Sequence, residues 1–266
     1  WNTTLTWSKN DNKILSLAEG ADENQVISTV GTASIIGRVG GTTGDLWGYK
    51  LVRDPEGNVV IGDNGLPEQA DEIEYVGTAY ADWKAGWYNE FSYKGFKLGI
   101  LLDGQVGGTI YSMSFHKMME QGKLTQSLNG RLPGTEYYMD ANDPRIAAAG
   151  YTPQSGMYMI APGVVRNDDG TFSPNTKVVT IESFYKEYYR RANVETNSFD
   201  ASFLKIREIR LEYELPKKVL EKSPFSKASI AVYGRNLWCF TDYPLFDPES
   251  VALDGSSMVS GIETGS

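Results

Sequence analysis

Residues 83–106 read WKAGWYNEFSYKGFKLGILLDGQV, and their alternation decides the fold. Trp83, Ala85, Trp87, Phe91 and Tyr93 alternate with Lys84, Gly86, Tyr88, Glu90 and Ser92. After Lys94-Gly95 the pattern restarts, with Phe96, Leu98, Ile100 and Leu102 set against Lys97, Gly99, Leu101 and Asp103. In an extended chain successive side chains point to opposite faces, so a period of two predicts two antiparallel strands joined by a very short turn. One face is apolar, with large aromatics toward its ends, and the other mixes charge with glycine.

Working outward, the same logic applies near the C-terminus, where Ile209, Leu211, Tyr213 and Leu215 alternate with Glu208, Arg210, Glu212 and Glu214. Pro216 stops that strand, Lys217 to Lys222 suit one helical turn, and Ala228, Ile230 and Val232 begin a return strand ending near Leu237-Trp238. A third pair is expected at the start: Trp1, Thr3, Leu5 and Trp7 on one face, a turn at Asn10-Asp11-Asn12, and a return from Lys13 to Leu17. Between these hairpins lie two long polar, glycine-rich segments, roughly 19–82 and 107–200. If the short turns at 9–12, 94–95 and 216–227 share one end of a sheet, both long segments leave from the other end, the layout of outer-membrane barrels.

A chain of 266 residues is one large or two ordinary domains. Its 25 basic and 34 acidic residues leave a net charge of −9, which argues against binding nucleic acid across a broad basic face. With one histidine (His116) and one cysteine (Cys239), the chain cannot build a His/Cys zinc cluster or a disulfide framework. No window approaches the ~18 consecutive apolar residues that a membrane helix requires, and no basic-then-apolar signal follows Trp1. A membrane strand needs only about 9–11 residues with every second one apolar, so a barrel is compatible with this composition.

Other motifs reduce to simpler readings. Asp54 to Gly65 (DPEGNVVIGDNG) concentrates Asp, Asn and Gly but lacks the ligand spacing of a calcium loop, and reads as a solvated hairpin loop. His116, in a polar stretch without a Gly-x-Ser-x-Gly elbow anywhere in the chain, is expected to face solvent and not to act as a catalytic base. Gly37 to Gly44 lacks the Lys-Ser/Thr of a phosphate-binding loop and reads as a connector. No pair among the many carboxylates recommends itself as the acid and nucleophile of a glycosidase. Trp and Tyr near strand ends suit an interfacial girdle better than a sugar-stacking platform. No catalytic residue, metal ligand or cofactor is expected, and the chain is not read as an enzyme.

Three segments together resemble the C-terminal part of SusC/RagA-type TonB-dependent outer-membrane transporters. The first is Leu46-Trp47-Gly48-Tyr49-Lys50 with Tyr75-Val76-Gly77 and Asp82-Trp83. The second is Phe91-Ser92-Tyr93-Lys94-Gly95-Phe96-Lys97-Leu98 running into Leu102-Asp103-Gly104-Gln105-Val106-Gly107-Gly108. The third and most specific is Ala201-Ser202-Phe203-Leu204-Lys205-Ile206-Arg207 through Leu211-Glu212-Tyr213-Glu214-Leu215-Pro216, then Tyr233-Gly234-Arg235-Asn236-Leu237 and Asp247-Pro248-Glu249. Their order and spacing extend over most of the chain.

The resemblance implies an all-β fold, with antiparallel strands forming part of a large transmembrane β-barrel that carries long extracellular loops. Residues 1–266 are then a C-terminal barrel segment, with the plug domain and the last strand lying outside the sequence. It further implies import of glycan or peptide oligomers across the outer membrane of a Gram-negative, Bacteroidetes-like bacterium. Energy would come from the TonB complex through the absent N-terminal part, and a SusD-like surface lipoprotein would act as lid. With the pleat, this reading turns Trp83, Trp87, Phe91, Phe96, Leu98, Ile100, Leu211 and Tyr213 to outer-membrane lipid, and Lys97, Arg210 and Glu212 to the lumen. Tyr137, Tyr138, Tyr151 and Tyr158 are candidate ligand or lid contacts in the long loops. The rival from another class is a soluble, secreted β-sandwich binding carbohydrate, with the apolar faces turned inward.

Overall fold

The computed structural model describes residues 1–221, 223–254 and 257–264, and the chain divides into two compact units. The first unit comprises Trp1–Asn12, Ala79–Thr109 and Phe199–Ser250. It is a five-stranded antiparallel sheet in which the strands Asn2–Ser8, Trp83–Tyr93, Phe96–Val106, Phe203–Glu214 and Ser229–Phe240 lie side by side in chain order. They are called the first to fifth strands below.

The second and third strands form the hairpin read from residues 83–106. Tyr93 pairs with Phe96 across Lys94-Gly95, whose φ angles of 45° and 88° are both positive. A two-residue turn of that kind matches the right-handed twist of its strands. Gly95 is required twice over, because a Cβ there would also lie 3.2 Å from the Glu214 carbonyl oxygen. The fourth and fifth strands form the second expected hairpin, joined through a helical turn at Lys217–Leu220 after Pro216. Lys222 lies outside the described residues.

The third expected hairpin does not form. Lys13 to Leu17 is not a strand; Ile14 instead exchanges hydrogen bonds with the 40–41 backbone, its N–H donating to the Gly41 oxygen (2.9 Å) and its carbonyl accepting from the Gly40 N–H (2.9 Å). The first strand pairs with the second, from Asn2↔Glu90 to Ser8↔Lys84. Period-two alternation marks Trp1–Trp7 as strand without naming its neighbour, and the neighbour is 80 residues away because Trp87 and Ala85 complete its apolar face. Asn10-Asp11-Asn12 therefore opens a long connection and does not close a hairpin. The two short connections, 94–95 and 215–228, share one end of the sheet, and the long ones, 9–82 and 107–202, leave from the other.

Arg207 is an extra residue in the fourth strand, between the pairs Ile206↔Leu102 and Glu208↔Leu101. This bulge shifts the apolar parity from even (Leu204, Ile206) to odd (Ile209, Leu211, Tyr213).

The second unit comprises Lys13–Thr78, Ile110–Ser198 and Val251–Ser266, so the long segments fold on themselves together with the C-terminal residues. A four-stranded antiparallel sheet, Gln25–Val30, Ala33–Gly37, Asp45–Gly48 and Glu74–Thr78, occupies its first part. Helix Met113–Glu120 is capped by Ser112, whose Oγ accepts from the Phe115 N–H (3.1 Å), and helix Ile181–Tyr188 by Thr180 in the same way. Ile35, Leu46, Tyr111, Val194 and Ile262 form one of its buried clusters. Ile262 pairs in parallel with Tyr111, and the buried Glu263 accepts from Ser112 (2.6 Å) and Ser114 (2.9 Å).

Candidate functional site

The two faces of the five-stranded sheet differ in kind. Directly paired residues share a face, so the register sorts every side chain. Trp83, Trp87, Phe91, Phe96, Leu98, Ile100, Leu211 and Tyr213 all fall on one face, joined by Leu5, Trp7, Leu102, Ile209, Ile230, Val232, Trp238 and Phe240. Lys97, Arg210 and Glu212 fall on the other. The apolar face is open: Trp87 is 46% exposed, Leu211 50% and Val232 73%.

On that face the aromatics segregate into two bands. Toward the short turns stand Phe91, Tyr93, Phe96 and Tyr213, with Phe96 and Tyr213 at 4.5 Å and Trp1 stacked on Phe91 at 6.3 Å. Toward the long connections stand Trp7, Trp83, Trp87, Trp238 and Phe240. Leu98, Ile100, Ile209, Leu211 and Val232 fill the space between. Trp83 to Tyr93 covers about 33 Å along the strand at ~3.3 Å per residue, or about 25 Å in height if the strand is tilted by ~40°. Two indoles in this stripe are paired with polar groups of neighbouring strands: Asn89 Oδ1 accepts from the Trp1 indole (3.2 Å) and Thr3 Oγ1 from the Trp87 indole (3.0 Å).

The opposite face carries charge. Arg210 pairs with Glu212 (2.5 Å), Arg235 with Glu208 (2.9 Å), and the Tyr88 hydroxyl donates to Glu90 (3.1 Å). Its densest cluster surrounds Lys205, which is 2% exposed and lies 4.4 Å from the centre of the Phe203 ring. The Lys205 ammonium donates to Asp247 and to Glu249 (2.5 Å), while Arg207, aimed by its bulge, reaches Asp103 (2.7 Å) and Glu249 (2.5 Å). Burial pushes the Asp247 and Glu249 carboxyls up, and hydrogen bonds more than offset it, from Lys205 and the Glu249 N–H to Asp247 and from Lys205 and Arg207 to Glu249, leaving both below their ordinary values. The 241–250 segment is thereby strapped onto the strand ends, helped by the Thr241 hydroxyl on the Ser202 carbonyl (2.8 Å) and by buried Tyr243 against Phe199 (5.7 Å). None of these residues was singled out as a site residue from sequence, although the charged parity of Lys205 and the Asp247-Pro248-Glu249 tripeptide were both visible.

In the second unit, Tyr158 is 8% exposed, stacks on Tyr151 at 4.8 Å and donates to the Thr152 carbonyl (3.0 Å), so its ring is core. Tyr137, Tyr138 and Tyr151 stay half-buried. His116 lies not in a solvated loop but on the helix Met113–Glu120, 5% exposed, with Nδ1 3.0 Å from the Tyr189 carbonyl oxygen; burial pushes its pKa below the ordinary histidine value. The apolar face of that helix needed the position, and a polar neighbourhood in sequence did not reveal it. Asp54 accepts from the Glu56 N–H (3.0 Å) and the Asn58 N–H (2.7 Å), as an Asx turn does. Among the described residues no His/Cys/Asp/Glu group could hold a metal ion, and no helix is long and apolar enough to cross a membrane.

No protein-family model matches the chain. A curated relative, TonB-dependent receptor P3 of Formosa agariphila, is 24% identical over 289 aligned residues, covering all of this chain and 25% of the relative. Among solved structures, the RagAB peptide transporter matches at a TM-score of 0.50 with 16% identity, covering 92% of this chain and 24% of that one. The RagAB peptide importer in its open-open state matches at 0.53 with 14% identity, covering 98% and 24%. The chain thus spans about a quarter of the length of the proteins it matches. Sequence and fold agree: this all-β chain is similar throughout to one part of a SusC/RagA-like TonB-dependent transporter.

Proposed function

We propose that the chain is a C-terminal wall segment of an outer-membrane transporter that imports glycan or peptide oligomers. One observation carries this reading: an open apolar stripe about 25 Å tall from the Trp83 row to the Tyr93 row, with aromatics gathered toward both its ends, against the ~25 Å height of a barrel's lipid-facing band. The opposite face, with its ion pairs, suits a hydrated lumen. The sheet leaves the first and fifth strands with an unpaired edge each among the described residues. In hydrocarbon each unsatisfied backbone group costs several kcal/mol, so the remaining wall comes from other parts of a longer protein.

The long connections face outward on this reading, toward a SusD-like surface lipoprotein and the incoming oligomer. Tyr137 and Tyr138 offer stacking surface there, whereas Tyr158 is committed to its core. Energy from TonB enters through parts of the transporter beyond this chain, and no residue here performs covalent chemistry. The location is the outer membrane of a Bacteroidetes-like bacterium, in keeping with the relatives named above.

The test is quenching of tryptophan fluorescence in the complete transporter, reconstituted in vesicles whose phospholipids carry bromine on the acyl chains. Trp87 and Trp238 should be quenched strongly, since both rings lie on the apolar face. Absence of quenching, with the protein remaining dispersed without detergent, would favour the secreted β-sandwich instead.

A further inference from the structure

Between the tryptophans of the outward band the apolar face is notched. The cross-strand row that runs Trp7, Ala85, Gly104, Leu204, Phe240 has two small residues in its middle, on the second and third strands. Trp83 and Trp87 rise on either side of Ala85, and Leu102 and Val106 on either side of Gly104. The result is a groove of about 270 Å³ whose walls are these side chains. Gly104 opens its floor: a Cβ there would lie 3.3 Å from the Phe203 carbonyl oxygen and 3.6 Å from Leu204 Cδ1.

We propose that this groove holds one acyl chain of a phosphate-bearing lipid drawn from the bilayer, with the head group against Lys9. The proposal rests on the reading of this face as the membrane-facing one. Three features select the occupant. The walls offer no side-chain donor or acceptor on the apolar face apart from the indole edges, which suits a hydrocarbon chain and leaves a peptide backbone unsatisfied. The notch lies between two indoles only four residues apart, about 13 Å between their Cα atoms at ~3.3 Å per residue, and once the thickness of the two rings is taken off, the opening is narrower than an α-helix ~10–12 Å across. The volume also falls just under the ~300–1,000 Å³ of sites that enclose whole drug-sized ligands. Charge completes the match: Lys9 follows Ser8, which pairs with Lys84, so the register carries it to the level of Trp83, at the end from which the long connections leave and where a head-group phosphate is expected on this reading. Its partner Asp11 is 3.3 Å away with 82% of its side chain exposed, an ion pair weak enough to yield to a phosphate.

The experiment uses the complete transporter, released from its membrane in mild detergent and examined by native mass spectrometry with extraction of the retained lipid. The wild type should keep one phosphate-bearing lipid. Ala85→Phe, which fills the notch, should lower its occupancy at least tenfold, and Lys9→Ala by several-fold. Val232→Phe, on the same face but off the groove, should leave it unchanged. Ala85→Leu guards against misfolding, since a smaller filler should give an intermediate loss. Equal lipid retention in wild type, Ala85→Phe and Val232→Phe would overturn the proposal, as would recovery of a lipoprotein anchor in place of a bilayer lipid. Brominated-lipid quenching on the same preparations separates the two readings. Quenching without a retained lipid sinks the groove alone, while absence of quenching sinks the membrane-facing assignment beneath it.

Discussion

Replacing Ile100 by arginine tests the lipid-facing assignment where it is most exposed to failure. Ile100 lies on the third strand, central in the sheet, paired with Asn89 on one side and Ile209 on the other. Its row is near the middle of the stripe, with the short-turn band beginning two residues away at Leu98 and Phe91 and the outward band two residues away at Leu102 and Trp87. A midplane arginine on the lipid face of a barrel costs about 2–4 kcal/mol, falling to about 0–1 near the interfaces. Each step of two residues changes depth by about 5 Å, taking ~3.3 Å per residue and a tilt of ~40°. The series Ile100→Arg, Leu211→Arg and Phe96→Arg should therefore fall stepwise, from about 3 through about 2 to under about 1 kcal/mol. Glu212→Ala, on the opposite face, should cost little. The assay is guanidinium unfolding of the complete protein in phospholipid vesicles, followed by intrinsic fluorescence. If the same face met water, arginine at exposed Leu211 and Phe96 would change stability by within about 0.5 kcal/mol regardless of depth, and half-buried Ile100 would not stand at the head of a depth-ordered series. A flat series near zero, or one as costly at Glu212 as at Ile100, would refute the assignment.

Three further outcomes follow. Lys205→Met should destabilise by about 2 kcal/mol, less than the ~3–5 of a fully buried pair because Asp247 is 53% exposed, and should release the 241–250 segment to rapid hydrogen exchange. The same segment should loosen in acid: Asp247 and Glu249 titrate below their ordinary values of 3.8 and 4.5, so their contribution is complete above those values and disappears as pH falls through the lowered folded ones, giving a protection factor, taken against the intrinsic exchange rate at each pH, that is flat from neutrality to about pH 5 and falls below about pH 4. In the second unit, Gly48→Ala should cost about 1–3 kcal/mol, because its Cβ would overlap the side chain of fully buried Val194, and Val194→Ala on that background should recover part of the loss in a thermal melt.

The parts of the fold legible in sequence were those governed by local chemistry. Alternation from Trp83 to Leu102 and from Glu208 to Leu215 specified strands, faces and short turns, because period two is imposed by the backbone itself. It left the partner of Trp1–Trp7 open, since any strand with a complementary apolar face satisfies the same pattern, and the neighbour is decided by contacts 80 residues away. The parity slip at Arg207 was present in the residues, with Leu204 and Ile206 even and Ile209 and Leu211 odd, but it signals a bulge only once the pairing strand is known. His116 shows the opposite limit: its flanking polar residues mark the outer side of a short helix, and its own burial depends on Tyr189, which sequence distance conceals. The site followed the same division. Both faces of the sheet were assigned residue by residue from the pleat, whereas the Lys205 cluster and the Ala85–Gly104 notch exist only across strands.

The inequality of the sheet's connections has a kinetic consequence. Closing Lys94-Gly95 joins two residues, while pairing the first strand to the second must close residues 9–82, roughly five doublings longer and therefore about 3 kcal/mol costlier in chain entropy at ~0.6 kcal/mol per doubling. Zippering should begin in the two hairpins, each assembling by itself. Their merger along Phe203↔Gln105 to Tyr213↔Phe96, and the late arrival of Asn2–Ser8, would then set the pace at which the wall is completed.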